Sequence, residues 1–138
     1  MYLGADSWDK NVDFKLDAAK YPDPAAMVTN LTASKQRLVA YLDAGINVNN
    51  RGGNPAYTAG DKVQGFVKSS INADNIGGYL VNSKQSKNVV YVDWLNSDAS
   101  KFWTTQVSQY QKNVPFDGLW TTMNEPFGDV AGEIQSKP

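Results

Sequence analysis

The stretch Phe116-Asp117-Gly118-Leu119-Trp120-Thr121-Thr122-Met123-Asn124-Glu125-Pro126 decides how this chain folds. Residues 117–122 read as a buried strand running straight into a polar, acidic loop. In a barrel of alternating strands and helices, catalytic side chains reach the mouth in this way, from the C-terminal ends of parallel strands. The pattern continues upstream. Phe102, Trp103, Val107 and Tyr110 give an apolar face to a helix over 99–112, capped by Ser97 or Asp98 and ended by Asn113-Val114-Pro115. Arg37 to Leu42 is an apolar run before Asp43 and reads as a buried strand. Asp23-Pro24 starts another helix, over 25–34, with Asp as N-cap, Pro in the first turn, and Met27, Val28 and Leu31 at helical spacing. Tyr2 to Ala5 reads as a short strand, and Ser7 to Asp17 as irregular.

The middle of the chain is less regular. Residues 47–61 are rich in Asn and Gly, include Arg51-Gly52-Gly53-Asn54-Pro55, and read as one long loop. Gln64 to Lys68 is a short strand candidate. Tyr79 to Val81 and Val89 to Val92 pair as a hairpin across the polar turn 82–88. Gly128 to Pro138 reads as a polar tail. Strand, helix, strand, excursion, helix, strand is an α/β order, in which parallel strands are joined by right-handed crossovers.

Composition narrows the chemistry. The chain has 138 residues, enough for one domain with a real core. Apolar content of 41% and charged content of 20% fit a soluble globular chain. A net charge of −1 gives no reason to expect nucleic acid or an anionic membrane as partner. No apolar run is long enough to span a bilayer, and Met1 to Asp6 lacks the basic region and apolar core of a secretory signal. The sequence contains no Cys and no His. That removes disulfides, thiolate nucleophiles, Ser-His-Asp triads and imidazole-ligated zinc, and no metal or cofactor is expected. Acid–base work falls first to the 14 carboxylates, with Lys or Tyr as the weaker alternative.

Those carboxylates are placed suggestively. Asp6, Asp43 and Asp93 each stand where a strand hands over to a loop, and Glu125 follows the last strand. Singly, an Asp there is an ordinary turn or cap residue. As a group, with Trp8, Trp94 and Trp120 nearby in sequence, they suit a polyhydroxylated ligand. Acids accept hydrogen bonds from hydroxyls, and indole faces cover the apolar side of a sugar ring.

The chain resembles glycoside hydrolase family 31, the α-glucosidase family, in segments that fall in family order. Phe116 to Glu125 is similar to its nucleophile motif, F-D-G-hydrophobic-W-x-D-M-N-E, with Thr122 at the position of the nucleophilic aspartate. Trp8-Asp9 and Asp13-Phe14-Lys15-Leu16-Asp17 resemble the D-I-D-Y-M-D…D-F-T-x-D segment. Arg37 to Ile46 resembles K-x-V-x-I-x-D-P-x-I, and Val92 to Asn96 with Phe102-Trp103 resembles P-D-[FY]-T-N-P…WW. Gly4 falls where the first aspartate of D-I-D belongs, while Asp6 keeps the second.

The resemblance implies a partial TIM (β/α)8 barrel, about strands two to four with their helices, forming a single segment over 1–138. It implies descent from retaining enzymes that hydrolyse O-glycosyl bonds, in which one carboxylate attacks the sugar and another serves as acid and base. Substrate-binding residues by analogy are Asp6, Asp43, Ile46, Trp120 and Met123. Thr122 carries no charge and has no histidine to activate it. Glu125, three residues on, is a poor substitute, because active members already have Glu there. The chain alone is therefore expected to be inactive. Its partners are an α-glucoside or oligosaccharide and the remainder of the barrel or another protein chain. Alternatives are a carbohydrate-binding pseudoenzyme or a structural subunit. Family analogy implies a secretory or lysosomal location.

Overall fold

The backbone grammar of the sequence accounts for most of the observed elements. The structure is a computed structural model that describes residues 1–48, 53–68, 77–78 and 89–122. Helix α1 spans Pro24–Ala33, strands β1 and β2 span Val39–Asp43 and Gly45–Asn47, and helix α2 spans Pro55–Lys62. Strands β3 (Gly77–Gly78) and β4 (Val89–Tyr91), helix α3 (Ser97–Asn113) and strand β5 (Gly118–Thr122) follow. The Asp23 carboxylate accepts the Ala26 N–H at 2.8 Å, as an N-cap before Pro24 should. At the other end of α1, the Gln36 N–H reaches the Leu31 carbonyl and the Lys35 N–H the Thr32 carbonyl. That is a Schellman closure, with Lys35 at φ 57° in the left-handed position.

β1 and β5 are parallel and in register from Val39 with Gly118 to Asp43 with Thr122. Tyr2 adds a parallel bridge on the far side of β1, where the Leu3 N–H donates to the Val39 carbonyl at 3.0 Å. The Asp117 carboxylate pins the start of the pair. It accepts the Leu38 N–H and the Arg37 guanidinium, each at 2.9 Å, and these bonds hold its pKa below the usual carboxylate range. β2, β4 and β3 form a separate antiparallel sheet in that order. The core gathers Leu38, just before β1, with Ala40 and Leu42 of β1, Val90 of β4, Phe66, and Phe102 and Tyr110 of α3. Trp103 and Val107 pack on its edge, so all the residues that marked the apolar face of α3 point inward.

Several expectations are corrected. The supposed loop 47–61 starts on the last residue of β2 and holds all of α2 but Lys62. Asn54-Pro55 repeats the cap-then-proline start of α1, with the Asn54 side chain accepting the Ala56 N–H at 3.1 Å. The helix has few apolar residues, which left its periodicity weak. Val89 to Val92 supplies β4, which runs antiparallel to both neighbours, as a hairpin strand does. Residues 79–88 are too few for the helical crossover that a parallel β3–β4 pair would need. The hairpin partner of β4 is Gly77–Gly78, while Tyr79 to Val81 and Gly128 to Pro138 lie outside the described residues. The cap of α3 is Asn96, whose side chain accepts the Asp98 N–H at 2.9 Å. The short strands at Tyr2 and Gln64 reduce to isolated bridge residues, Tyr2 paired with Val39 and Phe66 with Val92. β5 is not buried; its residues are half-buried or exposed.

Candidate active site at the ends of β1 and β5

Side chains alternate across a strand. The register therefore sets Tyr41 and Asp43 on the same face as their partners Trp120 and Thr122. Asp43 closes β1, at 2% exposure. The Tyr41 hydroxyl donates to its Oδ2 at 2.6 Å and the Gly45 N–H to its Oδ1 at 3.0 Å. Burial pushes the Asp43 carboxyl up to about 6, against the pull of those two hydrogen bonds. The Tyr41 phenol is pushed up as well, first by burial and then by the adjacent Asp43 charge.

Trp120 bridges the two strands. Its indole N–H donates to the Leu3 carbonyl at 2.9 Å, and its ring meets Tyr41 edge-on at 5.6 Å and Tyr2 at 6.5 Å. It remains 41% exposed. Thr122, the position that the resemblance gives to the nucleophile, is half-buried beside Asp43. Met123, Asn124 and Glu125 lie outside the described residues.

The other expected site residues are more scattered. Ile46 is buried in β2 opposite Val90, inside the core. Asp6 is exposed in a tight turn over Ala5–Ser7, and its backbone carbonyl accepts the Lys20 ammonium at 2.7 Å. Gly4, just before that turn, has extended backbone that any residue adopts. A Cβ there would approach Asp6 Oδ1 to 2.8 Å, so Gly4 leaves room for the Asp6 carboxylate. Asp93 spends its Oδ1 on the Leu95 N–H at 3.1 Å, in the turn leading to α3. Of the three tryptophans, Trp120 is the one carried by a strand paired with β1. Trp8 is buried and meets Tyr41 edge-on at 5.4 Å, and Trp94 stands against Trp103 at 5.1 Å.

Asp13 is the residue that sequence reasoning passed over as a site member. It is 4% exposed and accepts the Asn47 N–H at 2.9 Å together with the Asn54 amide, which also donates to the Asn47 carbonyl at 2.8 Å. One buried carboxylate thus ties the irregular N-terminal stretch to the end of β2 and the cap of α2. Burial raises its pKa to about 7, and the Asp43 charge pushes the same way. The Asp13-Phe14 pair within the family-like segment was the available signal. Nothing in its spacing distinguished it from a loop aspartate.

Among the described residues this face offers an indole, a phenol and a threonine hydroxyl beside a carboxylate whose two oxygens are both bonded. Such groups hold hydroxylated ligands better than they attack them.

The glycosyl hydrolases family 31 TIM-barrel domain model matches residues 1–137. A probable alpha-glucosidase of Oryza sativa subsp. japonica is 33% identical over 91% of this chain and 13% of its own length. The lysosomal alpha-glucosidase of Bos taurus is 26% identical over 96% of the chain and 14% of its own. Among solved structures, the ER glucosidase II complex of catalytic subunit and regulatory-subunit binding domain superposes with a TM-score of 0.75. It is 23% identical, and the match covers 91% of this chain and 13% of that one. The chain thus spans 13–14% of the length of these relatives.

Proposed function

Because the chain belongs to glycoside hydrolase family 31, we propose that it is one segment of a catalytic (β/α)8 barrel, about strands two to four, which keeps part of a sugar-binding wall and lacks the nucleophile. The observation that carries this is the pairing of Thr122 with Asp43 at the ends of β5 and β1. A neutral hydroxyl stands where a retaining glycosidase needs a carboxylate to attack the anomeric carbon. Asp43 cannot replace it, because it is buried and both its oxygens accept hydrogen bonds. In this reading residues 1–138 act as one unit. Asp6, Asp43, Ile46, Trp120 and Met123 belong to the sugar site. The whole assembly handles α-glucosides in the secretory pathway, the setting named for the lysosomal and ER relatives.

The test is hydrolysis of a chromogenic α-glucoside by the purified chain. No turnover above buffer is expected, and Thr122→Ala should change nothing. Turnover that survives Thr122→Ala and vanishes in Glu125→Gln would overturn the assignment and make Glu125 the nucleophile.

The exposure of Trp120 favours a second reading, a carbohydrate-binding pseudoenzyme. Titration with maltose or isomaltose should then shift tryptophan fluorescence saturably, and Trp120→Ala should abolish the shift. The openness of β5 favours completion by another polypeptide, and a purely monomeric species in mass photometry would count against that.

A further inference from the structure

We propose that Asn30 is an acceptor for an N-linked glycan. Asn30-Leu31-Thr32 is the only Asn-x-Ser/Thr triplet with a non-proline centre in the sequence. The triplet falls in the last turns of α1. Met27, Val28 and Leu31 turn towards the core, with Val28 buried and the other two half-buried. Asn30 lies two residues from Val28, roughly 200° around the helix, and both Asn30 and Thr32 are exposed. Neither side chain makes a hydrogen bond among the described residues. By contrast Thr29, one position earlier, back-bonds to the Ala25 carbonyl at 2.9 Å. The amide that would carry the sugar and the hydroxyl that a transferase reads are thus both uncommitted, while Leu31 between them anchors the helix.

Helical backbone at the triplet does not block the reaction. Glycan transfer acts on a chain still being threaded into the secretory compartment, before α1 closes. The fold has only to accommodate the product, and an outward-facing asparagine near a helix end does so without disturbing the core. In the transfer, Asn30 Nδ2 bonds to the anomeric carbon of a lipid-pyrophosphate-linked oligosaccharide. The carbon–oxygen bond to pyrophosphate breaks, the lipid pyrophosphate leaves with the electron pair, and the amide loses one proton. Nothing is oxidised or reduced. The inference needs only passage through that compartment and does not depend on the activity or inactivity of the sugar site.

The experiment is expression of the chain behind a secretory leader in eukaryotic cells. Amidase release of N-glycans in heavy-oxygen water then marks the acceptor as a labelled aspartate in the peptide map. The chain should run heavier by one glycan, collapse on amidase treatment, and carry the label at residue 30. Asn30→Gln and Thr32→Ala should both abolish the shift, while Thr32→Ser should retain it. Circular dichroism checks that the variants fold. Secreted wild-type chain without glycan, or a glycan that persists in Asn30→Gln, would overturn the proposal.

Discussion

β1 and β5 are five-residue partners in perfect register, yet four residues of β1 are buried and none of β5 is. The difference lies in their neighbours. β1 is flanked by the Tyr2 bridge on one side and β5 on the other. Among the described residues, β5 has β1 and no second strand beside it, so its outer edge is an unpaired row of backbone groups. Apolar sequence therefore does not measure burial. It measures what a strand is suited to bury against, and the half-open Leu119 and Trp120 of β5 ask for cover that β1 already has.

The largest expected effect sets the two strands directly against each other. Leu42 is 1% exposed, and Leu42→Ala should cost about 2–5 kcal/mol in urea unfolding through lost transfer energy and an unfilled cavity. Leu119 is only half-buried, so Leu119→Ala should cost about 1 kcal/mol. Equal costs for the two variants would break the comparison and imply that β5 is covered in solution.

The next effect is electrostatic and belongs to the closed side. Asp13 and Asp43 are buried with carboxyls raised to about 7 and about 6. A carboxyl raised above its unfolded value favours the folded state fully below that unfolded value. The contribution is lost as pH rises through the folded value. Thermal stability should thus fall as pH rises from about 4 to about 7, by on the order of several kcal/mol. Asp13→Asn keeps an acceptor for the Asn47 N–H and the Asn54 amide and should flatten much of that slope. A slope unchanged in Asp13→Asn would mean that the carboxylate is hydrated rather than buried.

How far the sequence could be read follows the same division. α1, α3 and β1 were legible because each writes its own signal, a cap with proline or an apolar periodicity. α2 carried the same cap with proline but little periodicity, and it went unseen inside an Asn- and Gly-rich stretch. The strand at β5 was legible, while its burial was not, since burial depends on neighbours beyond its own residues. At the site, Asp43 and Thr122 could be placed at strand ends, but their pairing across the sheet is a tertiary fact. Asp13 was invisible as a site member because its importance lies in bonds to Asn47 and Asn54, 34 and 41 residues away.

The smallest effect probes the seam between closed and open. Trp120→Phe keeps a ring against Tyr41 but removes the donor to the Leu3 carbonyl. Leu3 itself is buried, while Tyr2 beside it is 73% exposed and Trp120 41%. If water reaches the carbonyl from that side, the loss is an ordinary net hydrogen bond, about 1 kcal/mol or less. A cost of about 2 kcal/mol or more would mean that the carbonyl is left buried without a partner. The seam would then belong to the closed half of the sheet, and the open half would begin only at the outer edge of β5.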